Sequence, residues 1–167
     1  EKVLILGAGG VARAVAVMLA DTASQILIMN RTVEKARKIA DEVNAAAGRA
    51  LAGVISVDDY RKLPIGERYL AIQATNVGMY PRVDEAVIED RDFYERIHTG
   101  YDLIFNPVQT RFMELIQETG GRAFNGLKML LYQGVISYEL WTGVGVTKDM
   151  EEQAYRSMKQ ASAGILH

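Results

Sequence analysis

Cysteine is absent from the sequence, and its absence excludes disulfides, thiolate catalysis and most structural zinc sites. Histidine is nearly absent. His98 falls in a loop-forming stretch, His167 is terminal, and neither has acidic or histidine neighbours at ligand spacing, so no metal is expected. No apolar run is long enough to span a bilayer, and Glu1 opens directly onto an apolar strand without a targeting segment. No membrane partner and a cytoplasmic location are therefore expected. Neither sign of charge dominates: 19 Lys and Arg against 21 Asp and Glu leave a net charge of −2, which offers nucleic acid no electrostatic footprint. There is no internal repeat and no low-complexity tract. What is plentiful is apolar residues, 49% of 167, enough for one core, so residues 1–167 are expected to form a single domain.

The most informative stretch is the first. Val3, Leu4, Ile5 and Leu6 form an apolar strand that runs into Gly7-Ala8-Gly9-Gly10 and then into a helix opened by Val11 and Ala12. Gly7 permits the sharp exit from the strand, Gly9 lets backbone N–H groups approach a phosphate, and the small Ala12 allows close helix–strand packing. Gly10 is a further bare position in the same turn. A dinucleotide pyrophosphate would sit at the helix N-terminus, where unpaired N–H groups and the positive end of the macrodipole favour an anion.

The end of the second strand selects the dinucleotide. An NAD site places Asp or Glu there to accept hydrogen bonds from the adenosine ribose, about twenty residues after the glycine turn. This sequence places Asn30-Arg31-Thr32 there instead. An amide, a guanidinium and a hydroxyl can all donate to a 2′-phosphate that a carboxylate would repel, and Lys35, one turn along the next helix, adds a point charge. NADP(H) is therefore the expected cofactor. Thr32 is also a good N-cap, and capping is compatible with phosphate binding.

Strands and helices alternate along the chain, which predicts an α/β fold: a Rossmann-like, doubly wound, mainly parallel six-stranded sheet with helices on both faces. Strands are expected at 3–6, 26–29, 49–55, 69–74, 101–105 and 122–124. Helices are expected at 10–20, 34–47, 58–63, 111–119, 127–141 and 149–162. An open parallel sheet builds its site at the carboxyl ends of its strands. Those ends carry residues 7–10, 30–32, 75–80 and 105–107, with Asn125 and Gly126, so a shared cleft is expected on one rim.

Taken together, these residues resemble a known family. Gly7-Ala8-Gly9-Gly10 with Ala12-Arg13-Ala14, Asn30-Arg31-Thr32 with Lys35, Ala74-Thr75 with Val77-Gly78-Met79, and Asp102 with Asn106-Pro107 and Thr110 come first. Asn125-Gly126-Leu127 with Met129-Leu130, Gln133-Gly134 and Trp141-Thr142-Gly143 follow. In this order and spacing the set is similar to the C-terminal, NADP-binding domain of shikimate dehydrogenases, over nearly the whole chain.

The resemblance implies reversible NADPH-dependent reduction of 3-dehydroshikimate to shikimate, in aromatic amino-acid biosynthesis. It implies that Gly7, Ala8, Gly9, Gly10, Val11 and Ala12 form the pyrophosphate turn, and that Asn30, Arg31, Thr32 and Lys35 hold the 2′-phosphate end. Thr75, Asn76 and Val77 would line the cofactor channel, and Leu103, Gly126 and Met129 would bound the nicotinamide. Gln133 and the position of Phe105 would face substrate. Two residues depart from the family pattern: Phe105 stands where a tyrosine is usual, and Gln73 where an asparagine is common.

The family's proton-handling lysine and aspartate belong to an N-terminal substrate domain, so no catalytic residue is expected in this chain. The helices at about 126–162 would pack back towards that domain. On this reading the chain binds cofactor without efficient turnover, and its oligomeric state is open. Quinate dehydrogenases share most of the motifs, and a non-catalytic NADP-binding or regulatory module is a further alternative. Tyr155 and Lys159 are spaced Y-x-x-x-K as in short-chain dehydrogenases, a spacing that any two residues sharing a helix face also produce.

Overall fold

The computed structural model describes residues 1–164, so His167 lies outside the described residues. Six strands form one sheet: β1 (Lys2–Leu6), β2 (Gln25–Asn30), β3 (Ala52–Ser56), β4 (Tyr69–Gln73), β5 (Ile97–Asp102) and β6 (Arg122–Phe124). Every pairing is parallel, in the order β3-β2-β1-β4-β5-β6. The crossovers are α1 (Gly10–Met18), α2 (Val33–Ala47), a 3-10 helix (Val57–Lys62), α3 (Arg91–Tyr94) and α4 (Arg111–Glu118). Then α5 (Leu127–Thr142) and α6 (Lys148–Gly164) follow β6.

Alternate residues of β1 enter different cores, because the strand is covered on both sides. Val3 and Ile5 pack with Ala12 and Ala16 of α1 and Ala36, Ile39 and Val43 of α2. Leu4 and Leu6 pack on the other face with Phe93, Tyr94, Phe112 and Ile116 from α3 and α4. The two last helices differ: α5 buries only Leu127 and Leu131 along its length and packs against α6.

The fifth strand lies earlier than its apolar run suggests. It is Ile97–Asp102 and not 101–105, because β4 pairs with Thr99 and Gly100, two residues that lie before the apolar run. Gly100 is there because α4 comes so close that any Cβ would collide with the Ile116 side chain. His98 is consequently a strand residue and not a loop residue, with Nε2 3.0 Å from Glu1 Oε1 and Nδ1 3.0 Å from Thr99 Oγ1. Phe105 falls outside the strand.

Two smaller departures have local causes. The stretch expected as a helix at 58–63 is the tighter 3-10 form, opened by Ser56, whose Oγ accepts from the Asp58 N–H at 3.3 Å. Helix α3, too short to show periodicity, is set by the Asp90 cap and by burial of Phe93 and Tyr94.

Candidate functional site

In a sheet of this order the crossovers leave in opposite directions from β1 and β4, opening a crevice at their carboxyl ends. Gly7 leaves β1 at φ +112°, and a Cβ there would stand 2.8 Å from the Ala74 carbonyl oxygen, so the fold itself demands glycine. Its N–H donates to the Met29 carbonyl at 2.8 Å, and the Ala74 N–H donates to Leu6 at 2.8 Å, which ties the three strand ends together. Gly9 and Gly10 are different. A Cβ on either would meet nothing within 4 Å, and Gly9 is extended, with φ −89° and ψ −175°. Neither glycine is required by the protein's own packing.

Helix α1 starts at this turn with no side-chain cap and no acidic residue in its first turn, leaving its leading N–H groups open. Ala12 is buried against the sheet, as its size requires, while Val11 faces outward. Arg13 is tied away from the rim: its guanidinium grips Glu42 of α2 with contacts of 2.7 and 2.5 Å. The first turn of α1 is thus a bare anion-binding geometry.

At the end of β2 the Asn30 side-chain NH2 donates to the Thr32 carbonyl at 2.9 Å, fixing the turn into α2. Thr32 occupies the N-cap of α2, yet its hydroxyl makes no capping bond. Arg31, Thr32 and Lys35 are exposed, and among the described residues neither Arg31 nor Lys35 joins an ion pair. The end of β4 is held from inside by Gln73, which is fully buried: its amide NH2 donates to the Val77 carbonyl at 3.0 Å. The Thr75 hydroxyl donates to Gln73 Oε1 and accepts from the Val77 N–H, both at 3.1 Å. Its polar atom is therefore committed within the loop, and Thr75 offers the crevice its backbone and methyl group.

At the end of β5, Asp102 is fully buried. One carboxylate oxygen accepts from the Ile104 N–H at 2.9 Å, the other from the Thr110 hydroxyl at 2.6 Å. Burial pushes its pKa up to about 6 against the opposing pull of these two bonds. The turn it holds brings Leu103 against Gly126, where a Cβ would collide with the Leu103 carbonyl. Asn125 serves as a turn former, donating to the Val108 carbonyl at 3.0 Å and accepting from the Leu127 N–H at 3.2 Å.

Two cavities occupy the crevice and meet at Thr75. One, of about 370 Å³, is lined by Gly7, Asn30, Arg31, Thr75, Asn76 and Val77. The other, of about 360 Å³, is lined by Val11, Thr75, Leu103, Phe105 and Met129. Sequence reasoning missed Met29, Val57, Arg82, Glu85 and Val87 of the first cavity and Ile104 of the second, whereas Tyr80 and Asn106 fall within the cleft expected at 75–80 and 105–107. Arg82 lies just beyond the rim residues expected at 75–80 and carries no signal of its own in the sequence.

Gln133 is not brought to either cavity. It lies exposed on α5, in a shallow groove with Ile136 and Trp141. Tyr155 and Lys159 do not form a proton relay, because the Lys159 ammonium sits 5.2 Å over the Tyr155 ring, with Lys128 at 5.6 Å over the same ring. Among the described residues no group of three or more His, Cys, Asp or Glu is placed to hold a metal ion, and no helix is long and apolar enough to cross a membrane.

Comparison with known proteins bears on this geometry. Residues 1–63 match the family model for shikimate / quinate 5-dehydrogenase, and residues 126–146 match that for the shikimate 5′-dehydrogenase C-terminal domain. A shikimate dehydrogenase (NADP(+)) of Carboxydothermus hydrogenoformans is 36% identical over 86% of this chain and 50% of its own length. A crystal structure of a shikimate dehydrogenase in complex with NADP+ has a TM-score of 0.77 at 33% identity, covering 94% of this chain and 54% of that one. A shikimate 5-dehydrogenase from Listeria monocytogenes in complex with shikimate and NAD has a TM-score of 0.80 at 30% identity, covering 92% of this chain and 55% of that one. The chain spans about half the length of the curated relatives it matches.

Proposed function

Because the chain belongs to the shikimate / quinate 5-dehydrogenase family, we propose that it is that family's C-terminal NADP-binding domain, serving the reversible reduction of 3-dehydroshikimate to shikimate. The observation that carries the proposal is the pair of cavities meeting at Thr75 on either side of an uncapped helix N-terminus. Their chemistry differs along the length of a dinucleotide. The cavity at Gly7 has amides and guanidinium groups suited to a phosphorylated ribose, and the cavity at Met129 has apolar walls suited to a flat nicotinamide ring. The open N–H groups of α1 lie at the turn between, and the bare Gly9 and Gly10 let a pyrophosphate reach them.

NADPH, when bound, supplies the hydride. The chain's own contribution is to bind and orient: Val11, Leu103 and Met129 bound the ring, and the Gln73 network holds the 75–77 loop against Gly7. The proton for the nascent alkoxide, and most of the substrate's contacts, belong in this reading to the half of the relatives that the chain does not span. Apolar side chains left exposed on α5, Leu140 at 78% and Trp141 at 85%, suit a face that packs on such a domain, with Gln133 beside them.

Relatives are found with NADP+ and with NAD, so the choice of cofactor rests on Asn30-Arg31-Thr32. Loss of a charge-assisted hydrogen bond costs roughly 1.5–3 kcal/mol, so Arg31→Ala is expected to weaken NADPH binding by about ten- to a hundredfold. NADH binding should be nearly unchanged. Calorimetric titration of both coenzymes checks this, and an equal loss for both would overturn the assignment of Arg31 to a 2′-phosphate.

A further inference from the structure

The cavity at Asn30 is lined by a second arginine besides Arg31. Arg31 enters it from the end of β2, and Arg82 enters from the loop that leaves β4 and crosses to Val57 and Val87. Glu85 lines the same cavity and stands 3.9 Å from the Arg82 guanidinium, a long and exposed pairing next to the close grip of Arg13 on Glu42. We propose that Arg82 is a specificity-determining residue, a second cation that selects a dinucleotide bearing a phosphate on its adenosine ribose. The inference rests on the reading of this cavity as the 2′-phosphate end of an NADP(H) site.

Charge on the cavity wall distinguishes the two dinucleotides. Its charged side chains are Arg31, Arg82 and Glu85, and Lys35 is not among the lining residues. Without Arg82, the charges of Arg31 and Glu85 cancel, and the wall has no net attraction for a phosphate close to a dianion at neutral pH. With Arg82 the wall is net positive. A phosphate gives Arg82 a better partner than an exposed carboxylate at 3.9 Å, since a guanidinium donates two parallel bonds to phosphate oxygens. Binding then exchanges a loose ion pair for a close one, at no cost of leaving Arg82 unpaired. The unphosphorylated dinucleotide gains nothing from that exchange.

The test measures dissociation constants of NADPH and NADH for the 167-residue chain and its variants, with far-UV circular dichroism to confirm the fold. Arg82→Gln is expected to weaken NADPH about tenfold and to change NADH by less than about twofold, and Arg82→Lys, which restores the charge without the paired bonds, to recover part of the loss. Unchanged NADPH affinity in Arg82→Gln, or equal loss for both coenzymes as stacking on adenine would give, overturns the proposal while leaving the NADP reading in place. A chain without NADPH preference, or an Arg31→Ala variant that loses both coenzymes equally, overturns the NADP reading and this inference with it. Glu85→Gln provides an independent measurement should Arg82→Gln fold poorly. Removing the opposing carboxylate should tighten NADPH about threefold and leave NADH alone, and an unchanged NADPH affinity there overturns the charge argument.

Discussion

At the scale of single residues, the four glycine-turn positions Gly7, Ala8, Gly9 and Gly10 separate into those the fold needs and those only a ligand needs. Gly7 is demanded by its positive φ and by the Ala74 carbonyl, and that much would hold in a protein that bound nothing. Gly9 has ordinary backbone angles and open space where a side chain would go, so its bareness serves no internal purpose. A Gly9→Val variant is therefore expected to keep its circular dichroism and an unfolding free energy within about a kcal/mol of the parent. It should nevertheless lose NADPH and NADH together, by about a hundredfold or more, because a branched side chain would occupy the approach to the α1 N–H groups. Titration of both coenzymes checks this, and retained tight binding would place the pyrophosphate elsewhere. The same comparison separates Thr75 from Thr32. The hydroxyl of Thr75 is consumed by Gln73 and Val77, whereas that of Thr32 stays free at the mouth of α2.

At the scale of elements, the turn leaving β5 shows what holds the rim in place. Asp102 anchors it through Ile104 and Thr110, and Thr110 in turn caps α4, its hydroxyl accepting from the Met113 N–H. Burial raises the Asp102 pKa to about 6, whereas an unfolded aspartate titrates near ~3.9. Between those values the folded chain holds a proton that the unfolded chain has released. Stability from this group is thus full below about pH 4 and is lost as pH rises through about 6. Asp102→Asn stays neutral and keeps an acceptor for the Ile104 N–H, so it should gain on the parent by on the order of 2 kcal/mol between pH 4 and 7. Urea unfolding of both proteins across that range measures the difference, and a constant offset would refute the assignment. The element scale is also where the sequence was harder to read. The β1 turn and the β2 end were legible because an apolar run meets glycines in one case and a polar triplet in the other. Strand β5 was obscured because His98, Thr99 and Gly100 owe their strand state to pairing with β4 and to the close approach of α4, neither of which is a local property. Arg82 was hidden for the same reason, since only the path of the loop after β4 brings it to the cavity that Arg31 lines.

At the scale of the whole molecule, the sheet order places one crevice between β1 and β4, and the residues that line it are brought together by that topology. Among the described residues, none that lines the cavity at Met129 and Phe105 is a carboxylic acid. Of the side chains lining the cavity at Met129 and Phe105, the one phenol is that of Tyr80, and it is 89% exposed. Reducing a carbonyl requires a proton at the developing alkoxide as well as a hydride at carbon, and an exposed phenol with no partner to orient it is not positioned to supply one. The chain alone, supplied with NADPH and 3-dehydroshikimate, is therefore expected to bind the coenzyme without significant turnover. Fusing it to the N-terminal half of a relative should restore the reaction, followed as loss of NADPH absorbance. In that fusion Gln133→Ala should raise KM for the substrate and leave the dissociation constant of NADPH unchanged, because Gln133 lies on α5 beside Trp141 and away from both cavities. If the chain alone turned over at ordinary enzymatic rates, the proton would have to come from within it. Tyr80 would then be the first residue to replace, since Lys159 rests on the face of the Tyr155 ring and that pair lines neither cavity of the crevice.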